Sequence, residues 1–136
     1  MKSKKVLGNE QVNLVMNAAR VEAKKNGWAV SVAVVDDGGH LLALERLDGC
    51  APISAYIATE KARSAALGRR ETARYEEMVN GGRVAFVTAP LLTSLEGGIP
   101  IEMEGQIIGA VGVSGVKPEQ DAQLARAGAS VVDHFV

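Results

Sequence analysis

One cysteine, Cys50, two histidines and an aromatic share of 4% are all that 136 residues provide of those types. A lone thiol excludes an internal disulfide framework and fits a reducing compartment, so a cytoplasmic location is expected. Two histidines and one cysteine are too few for a dedicated zinc cage. With so few rings there are few platforms for stacking bases, and a net charge of -1 gives no general pull toward nucleic acid or an anionic membrane surface. No apolar run approaches the length of a membrane span, and the first ten residues, MKSKKVLGNE, hold no apolar h-region, so no signal peptide is expected. No Gly-Lys-Ser/Thr or GxGxxG follows a strand at phosphate-loop spacing. Repeats, low-complexity tracts and linkers are also missing, and the length suits one domain, 1–136.

Glycine, alanine and valine are abundant, and they concentrate in the stretch from Gly97 to Asp121. Ile99 to Met103 and Gln106 to Ser114 read as strands joined by a Glu104-Gly105 turn. In the second strand Ile107, Gly109, Val111 and Val113 alternate with Ile108, Ala110, Gly112 and Ser114, so neither face is strongly polar. Such a strand is expected at the centre of a sheet covered on both sides. Its glycines at 109 and 112 predict close approach by another backbone, a helix or a ligand.

The rest of the chain supplies the covering layers. A helix is predicted from about Glu10 to Asn26, capped by Asn9, with Val12, Val15, Met16, Ala19 and Ala23 on one stripe. Trp28 to Asp36 and His40 to Leu47 form an antiparallel hairpin across Asp37-Gly38-Gly39. Ser54 is a candidate cap for an alanine-rich helix whose stripe of Ile57, Ala58, Ala62, Ala65 and Ala66 holds one lysine, Lys61. Thr72 is placed to cap a short helix through Met78, Arg83 to Thr88 reads as another strand, and a last helix runs from Glu119 to about His134. The order predicts an α+β, three-layer α/β/α sandwich, with an antiparallel sheet of about five strands and helices on both faces.

Hairpin register decides what surrounds His40. A loop of Asp37 to Gly39 sets Asp36 opposite His40, and a two-residue loop sets Asp37 there instead. Either way a carboxylate stands beside the imidazole and orients it. A strict period of two would also place Leu42, Leu44 and Arg46 on the face of His40.

Four blocks together carry a family resemblance: VAVVDDGGHLLALERLDG from Val32 to Gly49, AxxKARSAA from Ala58 to Ala66, GGIPI from Gly97 to Ile101, and GQIIGAVGVSG from Gly105 to Gly115 followed by Gln120-Asp121. In these the chain resembles, over almost its whole length, the GlcG/HbpS family of small haem-binding proteins, which includes the carboxy-terminal domain of PduO. The resemblance implies a profilin-like sandwich, homo-oligomers in which dimers assemble to octamers, and haem as cofactor, with haem degradation in some members. The sequence departs from the common pattern at Cys50, where alanine is usual, and at Ser64, where threonine is usual.

With that resemblance, His40 reads as an axial haem ligand or a general base held by Asp36 or Asp37, against the alternative of a solvated histidine at a hairpin end. Arg46 and Lys61 each interrupt an apolar pattern; they recognise carboxylates, such as haem propionates or a small organic acid, form internal ion pairs with Glu45, Asp48 or Glu60, or simply snorkel to solvent. Gly97-Gly98 is either a backbone cradle for an anion or a turn with unusual dihedrals. Cys50 is a soft-ligand candidate or a small buried hydrophobe. Glu96 and Glu102 are candidate acids or bases beside Asp36, Asp121 complements a helix dipole, and His134 is a solvated helix-end histidine.

Three functions compete: a haem-binding protein that degrades haem or handles haem and iron; an isomerase, tautomerase, deaminase or hydratase acting on a small carboxylate; and a non-catalytic ligand-binding assembly module. None calls for a nucleic-acid or membrane partner.

Overall fold

The computed structural model describes residues 1–135. Helix α1 (Asn9–Asn26) leads into the hairpin of β1 (Ser31–Asp36) and β2 (Leu41–Arg46); α2 (Ile53–Gly68) and α3 (Ala73–Asn80) follow, then β3 (Gly98–Met103), β4 (Gln106–Ser114) and α4 (Pro118–Ala129). The sheet is antiparallel throughout, in the order β2-β1-β4-β3. Among the described residues it has four strands, because residues 84–88 form a short 3-10 helix instead of a strand. The reason lies beside it: Phe86 turns inward to stack on the buried Tyr75, with ring centroids 5.2 Å apart, which a strand continuing the sheet would not allow.

β4 holds the central position that its two apolar faces predicted. One face of the sheet, Val32, Val34, Ile99, Ile101, Val111 and Val113, packs on the apolar stripes of α1 and α4. The opposite face, Ala33, Val35 and Ala110, meets Ala58, Ala62, Ala65 and Ala66 of α2. Alanine and glycine let α2 sit almost on the sheet. A Cβ added at Gly112 would fall 2.0 Å from the Ala58 carbonyl oxygen, and one at Gly98 would fall 2.4 Å from that of Lys61. Gly112 and Gly98 therefore answer to a helix backbone, whereas a Cβ at Gly109 would meet the Val35 carbonyl oxygen at 2.5 Å and the Leu7 side chain at 2.6 Å.

Caps differ in detail from the sequence expectation. Gly8 is the N-cap of α1, and its N–H donates to the Gln11 side chain at 3.0 Å. Ser54 lies inside α2 and donates to the Ala51 carbonyl at 2.6 Å. The Thr72 hydroxyl accepts from the Gly98 N–H at 2.8 Å instead of capping α3. The last helix changes to a 3-10 turn over Ser130–His134.

Candidate functional site at the hairpin tip

Asp36 closes β1 and organises the turn after it. One of its oxygens, Oδ1, accepts from the Gly38 N–H at 2.9 Å and the His40 N–H at 3.0 Å, and the His40 Nδ1 lies 3.1 Å from the same atom. The Asp36 N–H in turn donates to the His40 carbonyl at 2.9 Å, so the three-residue loop is the register observed. An ionised carboxylate only accepts, so Nδ1 carries the hydrogen and Nε2 keeps its lone pair. The His40 side chain is 80% exposed, which leaves that lone pair to solvent. Orientation by a carboxylate with the second nitrogen free is the arrangement found behind metal-ligating histidines.

The cations at this turn, on Asp37, are ones that sequence reasoning did not assign to it. Lys4 pairs with Asp37, and Arg69 donates to the Asp37 carbonyl and holds its guanidinium 4.0 Å from the same carboxylate. Hydrogen bonding to Lys4 pulls the Asp37 carboxyl below its usual range, with burial opposing. Two cations on one carboxylate leave one positive charge over, set against the carboxylates of Asp36 and Glu102 at the same end of the sheet. Lys4 and Arg69 also line a shallow cleft of about 480 Å³ with Glu102, Gly105, Gln106 and Ile107. Arg69 was legible only as part of a charged break after α2, since nothing in sequence joins it to a turn 32 residues earlier.

His40, Asp36 and Glu102 thus gather at one end of the sheet, and the other candidates do not. A bulge in β2 at Leu42 shifts the pairing from Val34↔Ala43 to Val35↔Leu41, so Arg46 stands opposite Ser31 on the α2 side and no longer shares a face with His40. Along the strand, the steps from Leu41 to Arg46 cover about 17 Å at the usual rise. Cys50 lies beyond Arg46, its thiol 2.9 Å from the Ser54 hydroxyl, which is 2.8 Å from that of Ser31. Cys50 and His40 therefore cannot ligate one iron within a chain.

Lys61 is an internal residue. Its ammonium donates to the Val113 carbonyl at 2.9 Å and to Asp121 Oδ2 at 3.0 Å, and both side chains are 4% exposed. Asp121, read from sequence as a dipole partner, is the counter-ion, and its Oδ1 accepts from the Val116 N–H. Burial pushes its carboxyl above the ordinary range against the pull of Lys61. Gly97 has φ +132, an added Cβ there would fall 2.7 Å from the Val113 carbonyl oxygen and 2.8 Å from the Lys61 ammonium, and the Gly98 N–H donates to Thr72. The pair is accordingly a packing and turn feature with no free cradle at Gly98. His134 is exposed, and no group of three or more His, Cys, Asp or Glu side chains among the described residues could hold a metal ion.

Glu96 gives a test in pH. Burial and then the neighbouring Glu76 raise its carboxyl above the usual range. A carboxyl whose folded value is raised binds its proton more tightly in the native state, so stability falls as pH rises from the ordinary glutamate range through the raised value. Glu96→Gln should remove that decline and raise Tm at neutral pH by on the order of a degree or two, read by thermal melts from pH 4 to 8. A melting curve unchanged at neutral pH would contradict the assignment.

Fold and site together define a class, small α/β/α proteins with a carboxylate-held histidine at a hairpin tip. The chain belongs to the family described as haem degrading protein, HbpS-like, which matches residues 7–130. It is 68% identical over 114 residues to Protein GlcG of Escherichia coli K12, covering 84% of this chain and 85% of that one. A crystal structure of a double mutant of Streptomyces reticuli HbpS superposes with a TM-score of 0.87 at 32% identity, covering 97% of this chain and 90% of that one. A PduOC:heme complex superposes at 0.85 with 23% identity, over 95% and 96% of the two chains, and shares the fold. No helix among the described residues is long and apolar enough to cross a membrane.

Proposed function

We propose that this protein binds haem at the β1–β2 hairpin tip, with His40 as the axial ligand. The observation that carries this reading is the Asp36–His40 Nδ1 contact at 3.1 Å on an imidazole whose side chain is otherwise open to solvent. Haem bound there would supply redox-active iron; the chain supplies the ligand, its orientation through Asp36, and Lys4 and Arg69 for the propionates. Membership of a family described by haem degradation supports it further. Homo-oligomerisation, as dimers building to an octamer, and a cytoplasmic location belong to the same reading. They are supported by the exposed Val84, Val87, Leu91 and Leu95 and by the single unpaired thiol.

A haemin titration followed through the Soret band tests it. Saturable binding should weaken at least about tenfold in His40→Ala, and by a comparable factor in Asp36→Asn through lost orientation. Cys50→Ala, at the far end of β2, should bind as the parent does. Weak, unsaturable binding that His40→Ala leaves unchanged would sink the proposal. Haem degradation adds a second readout, a reductant-dependent loss of the Soret band in air. The second reading, an enzyme for a small carboxylate, is favoured by the cleft where Lys4 and Arg69 face Glu102. Thermal shifts with small organic acids, lost in Arg69→Ala, would support it.

A further inference from the structure

β2 forms one edge of the sheet, and among the described residues no strand covers its outer side. Natural edge strands are protected by proline, charge or brevity, because unpaired N–H and C=O groups recruit other strands. Here the edge carries Leu41, Leu42 and Leu44, exposed to 49%, 39% and 42%, with no proline and with charge only at its Glu45-Arg46 end. Next to it an open groove of about 660 Å³ separates β2 from α2, and Tyr56 and Ile53 project from the helix into solvent, 76% and 63% exposed.

The charges along this groove are arranged directionally. α2 runs back along β2: its start is tied to the Arg46 end through the Ser31–Ser54 contact, and Arg63 reaches the Gly39 turn at the Leu41 end. Arg46, at one end, has no carboxylate within 4.0 Å among the described residues, since its neighbour Glu45 is taken bidentately by Arg20. Glu60, further toward the other end, uses Oε1 for Arg63 and keeps its side chain 39% exposed.

We propose that β2 and this groove dock a second copy of the same chain, with the two β2 strands antiparallel about a two-fold axis. A two-fold contact is self-complementary, so each end of the groove meets the opposite end of its mate. That brings Arg46 of each copy to the Glu60 end of the other, pairs the open edge, and removes the leucines, Tyr56 and Ile53 from water. An unpaired cation at one end of an apolar surface and a partly free carboxylate toward the other are what a reciprocal contact uses and what a monomer leaves exposed.

This inference rests on the homo-oligomeric reading above and names its surface; it does not depend on haem. Sedimentation equilibrium on the full chain, with Arg46→Glu, Glu60→Arg, their double variant and Leu44→Lys, tests it, after circular dichroism has verified each fold. Each single variant should raise the dissociation constant of the dimer at least about tenfold, and the double reversal should return it to within about threefold of the parent. Amide exchange over residues 41–46 should slow as the parent is concentrated and should not do so in Leu44→Lys. A dimer that all four variants leave intact, with concentration-independent exchange in β2, overturns this surface while keeping the oligomer. A parent chain that is monomeric at every concentration overturns both.

Discussion

Asp121→Ala should lower stability by about 3–5 kcal/mol, the cost of leaving a buried charge without its partner. Lys61 is 4% exposed and reaches only the Val113 carbonyl once the carboxylate is gone. The comparison that separates charge from packing is Lys61→Met with Asp121→Leu. Replacing both partners removes the uncompensated charge, so most of the loss should return. The Val116 N–H would still lack the acceptor that Asp121 Oδ1 provides, which leaves a deficit of about 1–2 kcal/mol. Urea denaturation of the three chains reads these differences directly. The raised Asp121 carboxyl fits this ordering, because Lys61 does not fully offset the burial. An Asp121→Ala variant within about 1 kcal/mol of the parent would show that the pair is hydrated in solution.

Gly112→Ala should cost about 3 kcal/mol or more, the upper part of the range for overpacking. The added methyl would sit 2.0 Å from the Ala58 carbonyl oxygen and 2.5 Å from the Ala62 amide nitrogen. Both are helix backbone, so relief requires α2 to move off the sheet, not a rotamer change. Gly105→Ala is the control: no atom lies within 4 Å of its Cβ, and only its φ of +77 resists, at a cost of about 1 kcal/mol. Equal losses at the two positions would mean that α2 rides more loosely on β4 than the contacts imply.

These two sites also mark how far the sequence could be read. Alternation in Gln106 to Ser114 announced a strand covered twice, and the glycines within it announced close approach; both follow from the two-residue period, which any buried strand must obey. The helix stripes and the Asp36–His40 neighbourhood were legible for the same reason: partners four residues apart across a tight turn meet whatever the rest of the chain does. The strand expected over 83–88 failed because β propensity was overridden by Tyr75, which offers Phe86 a stacking surface from a different element.

What lies far apart in sequence was decided by tertiary structure alone. Local pattern placed Arg46 with His40, and one extra residue in β2 sent them to opposite faces, because a bulge inverts the alternation on one side of it. Lys61 read either as a carboxylate recogniser or as half of an internal ion pair, and α4 decided for the pair by delivering Asp121, a partner not among those expected, across 60 residues. Nothing in the sequence tied Arg69 or Lys4 to Asp37, and only the fold brought both to it. The sequence by itself determined the layers, the hairpin and the held histidine, since those rest on periodicity and on contacts within a turn. Which cations are internal and which remain at the histidine was left to the packing of distant elements, because a charge finds its partner only after the core has fixed where each backbone lies.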